Sequence, residues 1–310
     1  MSRLSPEINE IFDANITNSL NFLRIFTVID FLTAESKHIE QHTNLSFREI
    51  LQIKNDLIKT LSPKPIKASS SYKHLIKKSA IISTGIKCVD DLLEGGFTTG
   101  KIYEINGLPA SGKTIFCLAV VKHVITNLSQ KVYFLDSKNN FSASRLKEML
   151  NNNHHTESLK NVLVKRLEEK MNLLNSLFEI KNELENGLHV RVIIIDSLAI
   201  LFMDSNDSTV KNNVLTHCAN IMHYMASNLN VVFIVTNLMT LWRESNGFDT
   251  HDIMQKKISC GKFWQTIPNV KLTFEKFTDS RVKIFVTDSL IMPKIVEAEI
   301  LISDEGVFSI

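Results

Sequence analysis

The sequence predicts an α/β protein, with a mostly parallel sheet that carries antiparallel strands at one end and a small all-helical N-terminal domain ahead of it. Three observations lead to this fold class. Apolar residues recur at helical spacing in residues 15–61, and from residue 79 short β-rich apolar runs alternate with helix-length segments. Beyond Pro268, strand follows strand at hairpin-length gaps. Alternating strands and helices are typical of a parallel sheet covered on both faces.

The N-terminal helical domain is expected to span residues 1–61. Ser46, followed three residues later by Glu49, predicts a capping box at the start of a helix. Residues 62–78 open with a run rich in proline, serine and lysine that lacks periodicity, so we expect a linker there. The α/β domain is then expected to span residues 79–310.

Eight apolar runs are the strand candidates of the α/β domain. The first five come from the alternating region, and the last three follow Pro268. They are residues 102–106, 132–136, 162–167, 190–196, 231–236, 270–277, 281–288 and 295–302.

Composition and charge exclude several classes of protein. The chain is 44% hydrophobic and 22% charged, which is typical of globular proteins and not of disordered chains. No apolar run approaches the length of about 18 residues that a membrane span needs, and the N-terminus has no apolar signal segment, so we expect an intracellular protein. Its four cysteines form no Cys-x-x-Cys pair, so neither a zinc site nor a redox site is indicated.

The strongest signal for chemistry is a run that fits the pattern G-x-x-x-x-G-K-[ST]. An apolar strand leads into it and a helix leads out of it, which is the order that a phosphate-binding loop requires. Backbone N–H groups would surround the β-phosphate, Lys113, the candidate catalytic residue, would bridge the β- and γ-oxygens, and Thr114 would ligate Mg²⁺. The alternative is a glycine turn that happens to precede a helix. The run consists of Gly107, Leu108, Pro109, Ala110, Ser111, Gly112, Lys113 and Thr114.

A second acidic residue is needed to hold the magnesium, and it should close an apolar strand of the same sheet. Asp196 follows four consecutive apolar residues and is the candidate. The alternative is an aspartate that caps a turn at the end of a strand.

Further segments resemble the RecA-like recombinases. Together with the helical N-terminal domain, they make the chain most similar to the D-type paralogues of the eukaryotic recombinase Rad51. The matching positions are residues 82–86, 90–96, Gly100 and Glu104 ahead of the phosphate loop, residues 134–137 and 143–146 after it, residues 235–237 before the second DNA loop, and Gly261, Trp264 and Pro268 at that loop's exit.

The resemblance implies a RecA-like ATPase domain in residues 79–310 and a nuclear, ATP- and Mg²⁺-binding factor in DNA repair by homologous recombination. It implies assembly with sister paralogues and action on recombinase filaments, with single-stranded DNA as a further partner. By position, Arg145 would lie against the adenine, although a surface helix arginine is the alternative. The competing function is a DNA-stimulated ATPase with strand-exchange or remodelling activity of its own. An unrelated P-loop kinase would need a substrate lid that we do not identify.

Two positions depart from the family pattern. Strand-exchange members carry a glutamate that orients the attacking water where this chain has Lys138, and a charged lysine cannot act as a base. The family's glutamine that senses the γ-phosphate is replaced by Leu238, which offers no hydrogen bond. We therefore expect weak or absent ATP hydrolysis.

The two expected DNA loops differ in charge. Residues 197–210 contain no lysine or arginine and include Asp204 and Asp207, so this first loop is unsuited to phosphate contacts. The second loop, residues 238–262, has aromatic residues near four cations, which fits a single-strand contact or an ordinary mixed-charge loop. Residues 48–78 carry eight basic and two acidic residues and fit a solvated helix face with a lysine-rich linker better than a DNA or partner contact. The four cations of the second loop are Arg243, Lys256, Lys257 and Lys262.

Overall fold

The chain divides into two compact units, Met1–His74 and Leu75–Ile310. The computed structural model describes residues 3–150, 153–203, 208–244, 253–289, 297–303 and 305–310. No helix within those ranges is long and apolar enough to cross a membrane.

The first unit is helical and has its own core. Phe12 and Phe31 are fully buried in it and meet edge to face, with ring centroids 5.2 Å apart. This confirms the predicted all-helical N-terminal domain. Its helices are α1 (Ala14–Phe22), α2 (Val28–Thr33), α3 (Ser36–His42) and α4 (Phe47–Leu61), and α5 (Ala68–Lys78) runs across the division between the units.

The helix starts of this unit follow from its sequence. Ser46 Oγ accepts a hydrogen bond from the N–H of Glu49, and Glu49 Oε2 accepts one from the N–H of Ser46 at 2.8 Å, which is the predicted capping box. Helix α5 occupies part of residues 62–78, the expected linker, and gives that part regular structure. Its serine-rich first turn hides the helical spacing of Tyr72, Leu75 and Ile76.

The second unit alternates strands and helices and then continues with strands. It begins with β1 (Ile81–Ile82), α6 (Lys87–Leu92), β2 (Phe97–Thr98), β3 (Ile102–Gly107), α7 (Lys113–Thr126), β4 (Lys131–Asp136), α8 (Ala143–Met149), a 3-10 helix (Asn153–Asn161), β5 (Val162–Arg166), α9 (Lys170–Glu185) and β6 (Val190–Asp196). It continues with α10 (Leu198–Met203), α11 (Ser208–Leu229), β7 (Val232–Glu244), β8 (Ile253–Ile258), α12 (Gly261–Gln265), β9 (Val270–Lys276), β10 (Arg281–Ser289), β11 (Glu297–Ser303) and β12 (Gly306–Ser309).

One large sheet organises this unit, in the order β12-β11-β10-β9-β3-β7-β6-β4-β5, with β8 paired to β7 beside that path. The strands from β9 to β5 are parallel, and β10, β11 and β12 are added antiparallel to β9. The sheet confirms the predicted fold class. Its order places β3 between β7 and β9, so the carboxyl ends of three strands meet beside the phosphate-loop motif.

The sheet is covered on both faces. Along β6, Val192 and Ile194 belong to one apolar core, and Ile193 and Ile195 belong to the other, as the alternation of side chains in a strand requires. Helix α7 fills the first core, and helices α9 and α11 fill the second. A parallel strand buried on both faces accounts for the unbroken apolar run that precedes Asp196.

Candidate nucleotide site

The phosphate-loop motif lies between β3 and α7. Strand β3 ends at Gly107, and α7 begins at Lys113 with Gly112 as its N-cap. Because glycine has no side chain with which to bond the first N–H groups of the helix, those groups and the positive end of the helix dipole favour an anion. The strand, loop and helix therefore occur in the predicted order.

Two positions in the loop require glycine. Gly112 has a φ of 89°, and a Cβ there would collide with Ile302 Cδ1. A Cβ on Gly107 would lie 2.6 Å from the carbonyl oxygen of Phe274. The loop is therefore held close against its neighbouring strands, and its backbone faces a cleft.

Lys113 is buried at the base of this loop. Its Nζ donates to the carbonyl oxygens of Gly107 (2.9 Å) and Leu108 (2.8 Å) and to Ser111 Oγ (3.1 Å). Burial first, and then the neighbouring Lys138 ammonium, lower the pKa of Lys113 to about 8. Three loop oxygens thus fix a cation at the place where the motif requires one.

Asp196 ends β6 and is fully buried. Its Oδ2 accepts a hydrogen bond from Thr114 Oγ1 at 2.6 Å, and its Oδ1 accepts one from Thr236 Oγ1 at 2.5 Å. A hydroxyl and a carboxylate are hard oxygen donors of the kind that Mg²⁺ takes in proteins, so the chemistry of this pair fits a magnesium site.

Lys138 also contacts this carboxylate. Its Nζ lies 3.1 Å from Asp196 Oδ1, while its own side chain is 20% exposed. In the sequence, Lys138 stands out as a departure from the family pattern. Lys138 and Asp196 are 58 positions apart, and only the parallel pairing of β4 with β6 brings them together.

The loop opens into a cleft of about 490 Å³. Arg145, on the exposed face of α8, lines this cleft together with the phosphate loop, and its contact with the adenine stays a prediction. The opposite wall comes from the C-terminal strands, through Lys276, Val282 and Ile302. Sequence reasoning missed these three residues, since they carry no motif and reach the loop only because β9 pairs with β3.

Residues 76–310 match the family model named Rad51. The chain belongs to the Rad51 family. Among curated Rad51-family proteins, "DNA repair protein RAD51 homolog 4" of Bos taurus is 28% identical over 268 residues, covering 83% of this chain and 80% of the relative. Its counterpart in Mus musculus is 27% identical over 264 residues, covering 81% and 78%. "DNA repair protein RAD51 homolog 2" of Homo sapiens is 26% identical over 243 residues, covering 70% and 62%. The predicted resemblance to eukaryotic Rad51 paralogues, including the homolog 4 or D-type, is confirmed.

A buried polar cluster connects the phosphate strand of this Rad51-family core to the end of its second loop. Glu104 Oε1, on β3, accepts hydrogen bonds from Asn237 Nδ2 and from Trp264 Nε1, each at 2.7 Å. Asn237 Nδ2 also donates to the carbonyl oxygen of Ser259 at 3.1 Å. Burial raises the pKa of Glu104. In the sequence, Glu104 and Trp264 are only positions that match the family pattern. In the structure, a hydrogen bond joins their side chains.

The first expected DNA loop of the Rad51 pattern, residues 197–210, is mostly helical here. Helix α10 directs Leu198 and Phe202 into the core, and α11 begins at Ser208. In the described part of this segment, helices α10 and α11 therefore take the place of an irregular connection, with Leu198 and Phe202 buried and Ile200 and Met203 exposed. Asp204 and Asp207 lie outside the described residues.

The second expected loop, residues 238–262, is a two-stranded ribbon over most of its described length. Strand β7 continues to Glu244 and pairs antiparallel with β8, from Met239 opposite Ile258 to Glu244 opposite Ile253. Lys257 and Lys262 are exposed. The loop's two aromatic residues near these cations are Trp242 and Phe248, and Phe248 and the side chains of Trp242, Arg243 and Lys256 lie outside the described part of the chain.

Proposed function

We propose that this Rad51-family protein is a nuclear, ATP-binding paralogue that acts in DNA repair by homologous recombination. It assembles with related paralogues and assists recombinase filaments on single-stranded DNA. The observation that carries the proposal is the joint geometry of Lys113, Thr114 and Asp196 in a Rad51-family core. The names of the relatives, which are DNA repair proteins, support the cellular role.

The roles of the residues follow from their positions. The backbone N–H groups of residues 107–114 would hold the phosphates, Lys113 would supply a positive charge to them, and Arg145 would contact the adenine. Thr114 and Asp196 would hold Mg²⁺. When bound, this ion neutralises negative charge on the phosphate oxygens.

In this proposal ATP acts as a stabilising ligand. If the assembled state binds ATP more tightly than the free subunit does, ATP shifts the equilibrium toward assembly by mass action, without rapid turnover. Two residues of the site favour this role over that of a motor. Lys138 pairs with Asp196 and cannot orient water as a base, and Leu238, paired with Gly107 across the sheet, has no polar group with which to sense a phosphate.

Steady-state ATP hydrolysis tests this proposal. With or without single-stranded DNA, we expect the purified, unmodified protein to bind ATP. We expect it to release phosphate no faster than its Lys113→Ala variant does, because its site has no residue that activates the attacking water. The Lys138→Glu variant, which restores the family's carboxylate, is expected to hydrolyse ATP faster than the unmodified protein. DNA-stimulated turnover that disappears in Lys113→Ala would instead identify a working ATPase, the alternative function.

Replacing Gly112 by alanine tests the shape of the phosphate loop. We expect a loss of roughly 1–2 kcal/mol in stability from the left-handed backbone, and a marked loss of ATP affinity because the added methyl group strikes Ile302. Gly187→Ala is the matched control, since its φ is also positive (96°) while its Cβ would meet no described atom within 4 Å. Thermal melting and ATP titration of both variants give the comparison. Equal ATP affinities would refute this account of the loop.

A further inference from the structure

Lys138 is a resident cation at the carboxylate where a divalent ion is expected. Its Nζ and the hydroxyl of Thr236 both contact Asp196 Oδ1, while Thr114 occupies Oδ2. Both oxygens of the fully buried carboxylate therefore already have partners from the protein, and its negative charge is matched by one ammonium group.

The backbone that carries Lys138 is fixed in place. The N–H of Lys138 donates to Asp136 Oδ1 at 3.0 Å, and the N–H of Phe141 donates to Asp136 Oδ2 at 2.8 Å. The N–H of Ser137 donates to the carbonyl oxygen of Asp196 at 2.9 Å, and Ser137 Oγ donates to that of Ser197 at 2.6 Å. The loop after β4 is thus bonded directly to the end of β6. This fixed backbone, and not the ion pair alone, holds the Lys138 ammonium near Asp196.

The cleft beside this pair is rich in positive charge. Lys113, Lys138, Arg145 and Lys276 line it, and Asp279, which pairs with Lys276 at 3.6 Å, is the acidic residue among its lining residues. The positive charge of Lys138 helps to lower the pKa of Lys113, so the two ammonium groups repel each other. A polyanion bound between them relieves this repulsion, because each ammonium group gains a charge-assisted bond to a phosphate oxygen.

We propose that Lys138 supplies the positive charge that a divalent ion supplies in related sites. The protein therefore binds metal-free nucleoside triphosphate nearly as well as it binds the magnesium complex. The inference rests on the proposed ATP site and adds that the nucleotide bound there can be free of metal. Lys138 lies beside Asp196 in the free protein and lies within reach of both Asp196 and the terminal phosphate in the complex. Nucleotide binding is thereby separated from the metal-assisted chemistry of hydrolysis.

Calorimetric titration of the full chain with ATP, once in excess Mg²⁺ and once in EDTA, tests the inference. We expect the affinity of the unmodified protein to differ by less than about threefold between the two conditions. For Lys138→Ala, we expect an affinity about 30-fold weaker in EDTA than in Mg²⁺, a difference of the size of one charge-assisted bond. Lys138→Arg keeps the cation and is expected to stay insensitive to EDTA.

Two controls make the outcomes distinct. Lys147→Ala, an exposed lysine on α8 outside the cleft lining, is expected to match the unmodified protein in both conditions. Loss of tenfold or more in EDTA by the unmodified protein, or no EDTA sensitivity in Lys138→Ala, overturns the inference and leaves the ATP site standing. Failure of the unmodified protein to bind ATP even in Mg²⁺ overturns the proposed function, and the inference with it. Thermal melting of Lys138→Arg and Lys138→Ala separates lost affinity from lost folding.

Discussion

Lys113→Ala is expected to lower the affinity for ATP by at least about 100-fold while leaving the fold intact. The Lys113 side chain is buried at the base of the phosphate loop, where charge-assisted bonds to phosphate oxygens are worth about 1.5–3 kcal/mol each. Burial already lowers the pKa of Lys113 to about 8, so the charge is held there at a cost to the free protein. Removing it should therefore weaken binding without weakening the folded state. Nucleotide titration and thermal melting of the same preparation measure both effects.

The matched control is Lys122→Ala, on the same helix α7 but outside the lining of the nucleotide cleft. We expect it to bind ATP normally. Lys113→Ala should also weaken co-purification with related paralogues in the presence of nucleotide, since assembly depends on bound ATP in our proposal. Undiminished assembly of this variant would contradict the role of ATP as a stabilising ligand.

Trp264→Ala is expected to destabilise the second unit by about 4 kcal/mol. The side chain is fully buried, and it donates to Glu104 Oε1 at 2.7 Å. Its removal leaves a large cavity and takes one of two donors from a buried carboxyl group, and both losses favour unfolding. Denaturant unfolding, followed by circular dichroism, measures the change.

Two further variants separate the contribution of Trp264 packing from that of its hydrogen bond. Trp264→Phe keeps most of the packing and loses the N–H donor, so we expect a loss of about 1–2 kcal/mol. Phe263→Ala changes the preceding residue of α12, which is 37% exposed, and should cost less than about 1 kcal/mol. A Trp264→Ala protein as stable as the Phe263→Ala protein would show that the Glu104 bond and the packing around it carry little energy.

Much of the fold follows from local patterns in the sequence. The strand candidate at residues 190–196 coincides with β6 because a buried parallel strand must be a continuous apolar run, and the capping box at Ser46 is a bond between near neighbours. The phosphate loop and Asp196 are predicted for the same reason, since each is a short motif beside a strand. Local signals therefore give the elements and the centre of the site.

The remaining features depend on distant pairing, which no local pattern contains. The ion pair between Lys138 and Asp196 requires Asp136 and Asp196 to be partners in the sheet. The cleft wall at Val282 and Ile302 requires the antiparallel strands to follow β9, next to β3. The ribbon formed by β7 and β8 was hidden by the mixed charge of its sequence. Topology, rather than composition, brings these residues to the site.

The order of strands also has a consequence for how the protein is made. Among the described residues, strand β3 pairs with segments that lie much later in the chain, from Phe233 to Leu238 and from Val270 to Phe274. At about 5–20 residues per second, a ribosome completes those partners on the order of ten seconds after it has made the phosphate loop. Until then both edges of β3 lack their partner strands, and their backbone groups are accessible to chaperones. A shortened protein that stops before Val270 would keep every residue of the motif and lose the framework that shapes it.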